Sequence, residues 1–285
     1  MTNRLPYHEK REDLVLSLCY ITPSRERAEG IVADKELEAE DATRVVTNIE
    51  RHDFDNEVYA VYAAESHPRQ FPDGWERGLS DSEIVLVDSV INTFRGVQQE
   101  WDKRGAPLNY YKQPDPARIS DAFDDVRWRQ DVEIVGGEIM SSLIKKHALP
   151  NANHRTAVAY LRTYLQSVAE TTDPDFIPAG NYQGDWHDWA RKHVHESKRL
   201  LLLRRKPDLL QYAKSVGVDK LYRKSGIEID LSAHDFEGQD VHSMANEGHR
   251  NRCIQFAADL IERSEHQEVK DRIDDGRRAF VDRLQ

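Results

Sequence analysis

IKKHALPNANHRTAVAYLRTYLQ, residues 144–166, decides how this chain is read. A helical pattern runs up to His147 and stops. Pro150 cannot extend it, because the ring removes an N–H and clashes with the preceding turn, and it biases Leu149 away from helical angles. Two asparagines follow. Asn153 is a good N-cap for a second helix, in which Val158, Leu161 and Leu165 share one stripe. Two helices therefore meet across a break of a few residues, with a histidine on one lip and an arginine, Arg155, on the other.

Outward from this break, most apolar residues recur at three and four, and few segments alternate with period two. The pattern predicts an all-α fold. Residues 13–21 read as a short buried element, helix in preference to strand, and 34–52 and 54–67 read as helices, the second stopped by Pro68. Ser80 with Glu83 three residues on is a capping box that opens a long amphipathic helix over 81–101. A break rich in Pro and Gly follows at 102–120, and 131–147 reads as helical despite Gly136 and Gly137. Past a polar connection at 171–185, helices are predicted over 186–203, near 207–216, and twice beyond about 240. The organisation expected is an N-terminal helical extension (1–79), a core (80–170) and a C-terminal helical region (171–285).

Composition narrows the function classes. Apolar residues make up 39%, enough for a packed core, and no apolar run is long enough to span a membrane. The first residues, MTNRLPYHEKRED, lack the apolar stretch of a secretory signal. Cys19 and Cys253 lie far apart in apolar surroundings, which predicts reduced, buried thiols and a cytoplasmic address. The net charge of −11 argues against a nucleic-acid surface, since neutralising phosphates needs clustered Lys and Arg. His187, His193 and His195 are spaced six and two apart, which places no two of them one turn apart as a helical metal site needs. HSMANEGHR (242–250) echoes HALPNANHR without its Pro break, and is read as coincidence.

The break itself suggests chemistry. The first turn of the second helix leaves N–H groups around residues 152–156 without helical partners, and these attract anions. Arg155 adds a forked guanidinium suited to phosphate. A neutral His147 beside such a seat is placed to take a proton from a hydroxyl that attacks phosphorus. Arg162, seven residues further on the same face, is the next candidate for the phosphates, against the plainer reading of an ion-paired arginine. Taken singly, His147 also reads as an ordinary C-cap and Arg155 as an exposed first-turn residue.

The stretch resembles the signature of the Fic/Doc family, H-P-F-x-[DE]-[GA]-N-[GK]-R, which lies between two helices of an all-α core. His147, Asn153 and Arg155 match in spacing, Ala152 fills the small-residue position, and Thr156 and Ala157 continue as in the Doc branch. The resemblance covers about 80–170. It implies transfer of AMP or a phosphoryl group from ATP or another nucleoside triphosphate to a Ser, Thr or Tyr hydroxyl of a target protein. His147 would be the base, and Asn151, Ala152, Asn153, His154 and Arg155 would form the phosphate loop. It further implies a target-docking flap, here Asn109, Tyr110 and Tyr111, and an antitoxin-like partner in some branches. Some members carry an inhibitory Glu in [ST]-x-x-x-E-[GN]. SRERAEG (24–30) comes within one residue of that spacing and makes Glu29 the candidate brake. Two departures stand out. Asn151 replaces the Asp or Glu that holds Mg²⁺ in the family, and a neutral amide is a poorer ligand for a hard cation. His154 replaces a Gly or Lys. Asn151 keeps open a second class, a Fic-fold regulator that binds a nucleotide or partner without catalysis.

Overall fold

The computed structural model describes residues 2–285 apart from 12, 40, 170–175, 182, 183, 237–239, 265 and 271. In chain order the elements are β1 (Arg4–Pro6), β2 (His8–Arg11), β3 (Leu14–Thr22), α1 (Arg25–Glu38), β4 (Arg44–Asp53), β5 (Glu57–Ser66), α2 (Asp81–Lys103) and α3 (Pro116–Asp124). There follow α4 (Val132–Lys146), α5 (Asn153–Ala169), α6 (Asp188–Arg205), α7 (Pro207–Ser215), β6 (Lys220–Arg223), β7 (Ile227–Asp230), α8 (Val241–Glu262) and α9 (Arg277–Leu284). Two sheets overturn the all-α expectation: the fold mixes α and β. The chain forms two compact units, one of residues 1–68, 110–112 and 198–246, the other of 69–109, 113–197 and 247–285.

The first unit holds both sheets. Strands in the order β2-β3-β5-β4 pair antiparallel, and β1 lies parallel to β6, which pairs antiparallel with β7. The segments 13–21 and 54–67, whose pattern predicts helices, form the central strands β3 and β5. In β5, Val58, Ala60, Tyr62 and Ala64 face the core at period two, but Val61 on the opposite face is also fully buried, so the sequence shows an unbroken apolar run. A strand covered on both faces loses its alternation. In β3, Leu14, Leu16 and Leu18 face inward and then the phase slips, because Leu18 pairs with Tyr62 and Tyr20 with Val61. Cys19 is the extra residue of a β-bulge, and Ile21 resumes the inward face. The predicted helix at 34–52 is the end of α1 followed by β4, an outer strand whose residues are at most half-buried.

The second unit is helical, and here the periodicity reading holds. Glu83 Oε2 accepts the Ser80 N–H at 2.8 Å at the head of α2, and its other oxygen accepts the Ser120 hydroxyl at 3.0 Å, tying α3 to α2. Helix α4 is the axis, with every residue from Val135 to Ile144 buried. Its two glycines are what allow this. A Cβ on Gly136 would lie 2.8 Å from Leu161 Cδ1 of α5, and one on Gly137 would lie 2.6 Å from the backbone N of Ile254 in α8. One turn of α4 thus meets two helices at close range, and the packing outweighs the roughly 1 kcal/mol per glycine that helix propensity loses. Glu138, next along, is 2% exposed and accepts from the Arg127 backbone N–H and from the guanidinium groups of Arg127 and Arg250.

Candidate functional site

The break between α4 and α5 is a tight, internally bonded loop. His147 caps α4 in left-handed backbone (φ 51°), with its N–H donating to the Leu143 carbonyl at 3.3 Å. Ala152, at the other lip, is also left-handed (φ 52°). Its carbonyl accepts the first bond of α5 from the Thr156 N–H at 2.9 Å, so Ala152 is the N-cap, one residue earlier than expected. Non-glycine residues adopt this backbone at a cost, and two of the four among the described residues bracket this one loop.

The asparagines hold the shape. Asn153 is 7% exposed and turns its amide back on the loop: Oδ1 accepts the Leu149 N–H at 3.2 Å and Nδ2 donates to the Leu149 carbonyl at 3.0 Å. Asn151 Oδ1 accepts the Ala152 N–H at 2.7 Å, and its Nδ2 donates to the Asn109 carbonyl at 2.8 Å. The Asp115 N–H donates to the Ala148 carbonyl at 2.9 Å, fixing the loop to the head of α3. Both asparagine side chains thus act as braces of the loop. A protein-held Mg²⁺ does not fit the donor set, because the only side-chain oxygen at position 151 already accepts a backbone N–H. Among the described residues no group of three or more His, Cys, Asp or Glu converges for a metal.

Arg155 is half-buried against indoles. Its guanidinium lies 4.4 Å from the Trp186 ring centre and 5.9 Å from that of Trp101, which Arg104 approaches at 5.6 Å. Trp186 is held there by two backbone bonds, the Asn181 N–H to the Asp185 carbonyl and the His187 N–H to the Ala179 carbonyl. Gly180 leaves room for Arg155, since a Cβ would come within 3.3 Å of Nη1. Burial, and then the like charge of Arg104, lower the Arg155 pKa from its usual range. The carboxylates of Asp185 and Glu100 act the other way, and Glu100 pairs with Arg104 at 3.7 Å, so the two cations are partly compensated within the protein.

His154 faces the other way. Its Nε2 lies 3.0 Å from the Ser197 hydroxyl, which lies 2.8 Å from His249 Nε2, whose Nδ1 lies 2.9 Å from the Ser141 hydroxyl. This row joins α5, α6, α8 and α4, and its last three members are at most 1% exposed. Each hydroxyl both donates and accepts, so the row is satisfied for either tautomer of His249. Cys253 stands 3.9 Å from His249 Nδ1, and burial pushes its thiol up to about 12, which rules it out as a thiolate nucleophile at neutral pH. Ser141, Ser197 and His249 carry no local sequence signal, being contributed by three separate helices. HSMANEGHR, set aside as coincidence, supplies His249 and also Arg250.

Arg162 is half-buried, about 10 Å along α5 from Arg155 at 1.5 Å per residue, and burial lowers its pKa. The Asn109 carbonyl is part of the loop's bracing. Tyr110 is 2% exposed in the first unit, where its carbonyl accepts the His67 N–H at 2.8 Å, and Tyr111 packs on that unit's core. Glu29 lies on α1 of the first unit, paired with Arg25 at 2.9 Å with both side chains more than half exposed.

The whole chain, residues 1–285, matches a family described as a family of unknown function, DUF8172. The chain belongs to this family. No curated protein and no solved structure shows significant similarity to it. Among the described residues no helix is long and apolar enough to cross a membrane.

Proposed function

We propose that the helical unit is a Fic/Doc-like transferase, moving AMP or a phosphoryl group from a nucleoside triphosphate to a Ser, Thr or Tyr hydroxyl of a target protein. The observation that carries this reading is the preformed loop 147–155, with left-handed His147 and Ala152 at its lips and Asn151 and Asn153 as braces. Backbone strain of roughly 1–3 kcal/mol per residue persists where a loop's shape is needed, and in this reading the shape serves to present the first turn of α5 to an anion. In this reading the N–H groups of that turn and Arg155 hold polyphosphate, and the indoles beside Arg155 offer a face to a flat base. The acceptor oxygen bonds to the α-phosphorus as pyrophosphate leaves, or to the γ-phosphorus as the nucleoside diphosphate leaves. The hydroxyl proton passes to the imidazole of His147.

One observation favours a second reading, nucleotide binding without transfer. Both amide atoms of Asn151 are engaged in bracing, and no carboxylate replaces the family's metal ligand at that position. Incubation with ATP and Mg²⁺, followed by intact-mass measurement of the protein and of candidate targets, separates the two. An AMP or phosphate adduct that falls by a factor of roughly 10² or more in His147→Ala supports transfer. An adduct formed equally by His147→Ala ends that residue's assignment. No adduct, with ATP binding that is lost in Arg155→Gln, supports the second reading. No adduct and no binding removes both.

A further inference from the structure

The first unit contains a cavity of about 500 Å³ that plays no part in the site above. Its walls come from three places in the chain: the end of β3 from the bulge onward, the approach to α1, and the junction of α6 with α7. The size is that of a small-molecule site. Among the described residues that line it, Arg27, Arg205 and Lys206 stand against the carboxylate of Asp208, in a chain whose net charge is −11. Such a local excess of cations runs against the composition. Tyr20 and Tyr212 supply aromatic surface, and the Arg27 guanidinium lies 5.6 Å from the Tyr20 ring centre.

The positive field extends behind the wall. Arg205 is exposed where it borders the cavity beside Lys206. Burial, with Arg204 next, lowers its pKa to about 10, and Arg223 adds to the effect while Tyr7 opposes it. The negative end of α6 and the positive end of α7 meet at Lys206, so the helix ends largely offset and the side chains set the field. Cys19 lines the cavity as well, but its Sγ donates to the Val61 carbonyl at 3.2 Å and burial raises its pKa, so the recess is suited to binding and not to thiol chemistry.

From this cavity, its three cations and its two tyrosines we infer a binding site for a small organic phosphate that carries a flat ring. The guanidinium groups and Lys206 meet the phosphate, and the phenol rings and Leu209 meet the ring. Bulges recur beside ligand sites because they re-aim neighbouring side chains, and the bulge at Cys19 precedes the stretch of β3 that forms this wall.

The test uses the full chain and 1-naphthyl phosphate, followed by the probe's own fluorescence. Saturable binding is expected, tenfold or more weaker for uncharged 1-naphthol, and weakened by rising salt. Arg205→Gln and, separately, Lys206→Gln should each weaken it about tenfold with an unchanged circular dichroism spectrum. Tyr212→Ala should weaken the probe about tenfold while leaving inorganic phosphate, measured by competition, unaffected. Arg155→Gln should leave intact the binding component that Arg205→Gln and Lys206→Gln remove, which separates this site from the one in the helical unit. The inference is overturned if the parent shows no saturation at millimolar probe. It is also overturned if Arg205→Gln and Lys206→Gln, both folded, bind as the parent does, or if Arg155→Gln alone abolishes binding.

Discussion

Replacing Asn153 by Asp separates the brace from an ordinary cap. At an exposed N-terminal position, Asp serves at least as well as Asn, and the helix dipole favours its charge by about 0.3–1 kcal/mol. The loop predicts the opposite. Asn153 is 7% exposed, and its Nδ2 donates to the Leu149 carbonyl at 3.0 Å, with the Asn151 carbonyl 3.5 Å away. A carboxylate there keeps the bond from the Leu149 N–H but sets a negative oxygen against two carbonyl oxygens. Losing the donor leaves a buried carbonyl unpaired, at about 1–3 kcal/mol, and the repulsion adds to that. The dipole returns less than 1 kcal/mol. A net destabilisation of about 2 kcal/mol is expected for Asn153→Asp. For Asn153→Ala, which strips partners from both the N–H and the carbonyl of Leu149, about 2–4 kcal/mol is expected. Urea unfolding followed by far-ultraviolet circular dichroism, with the Leu149 amide tracked by hydrogen exchange, measures both. Asn153→Asp within about 0.5 kcal/mol of the parent would refute the brace.

Three further outcomes follow from the packing and charges described. Gly137→Ala places a methyl against the Ile254 backbone and should cost about 3 kcal/mol or more, whereas Gly30→Ala in α1, with open space around it, should stabilise by about 0.5–1 kcal/mol; paired denaturation curves check the contrast. Glu138→Ala leaves Arg250 and the Arg127 N–H without their buried acceptor and should cost about 3 kcal/mol, which the same curves read; Glu138→Gln should recover part of it. Burial, with Arg223, Lys224 and Lys198 nearby, lowers the His8 pKa to about 3. The unfolded chain therefore binds a proton that the folded chain refuses between about pH 6.5 and 3, and stability falls as pH falls through that window. From pH 7 to pH 5 the loss should be about 2 kcal/mol, and His8→Asn should remove this dependence in a pH series of urea midpoints.

The helical unit was legible because α2 and α5 bury one stripe each and the ends of its helices carry strong signals. Ser80 with Glu83, the Pro150 break and the apolar spacing of α5 placed α2, α4 and α5 to within a residue or two. The strands were not legible, for particular reasons. β5 buries Val61 as well as its neighbours, which removes the alternation, and its Ala and Glu residues suit a helix equally. β3 alternates for three leucines and then breaks step at Cys19. At the site, the positions of His147 and Arg155 on the lips were readable from spacing. The inward turn of Asn153 was not, because an N-cap and a loop brace call for the same amide. The row from His154 to Ser141 was invisible, since hydroxyls and imidazoles on four helices leave no periodic trace.

The extra residue in β3 has a consequence for length changes. Leu14, Leu16 and Leu18 point one way, and Ile21 points with them only because Cys19 takes up one step without a partner. A chain shortened by Cys19 alone would still direct all four side chains to the same side, now on an unbroken ladder. Shortening by Ser17 instead would send Leu18 to the opposite side. Of the interior positions of this strand, the one occupied by the thiol is where lineages can gain or lose a residue while every other contact of the strand keeps its address.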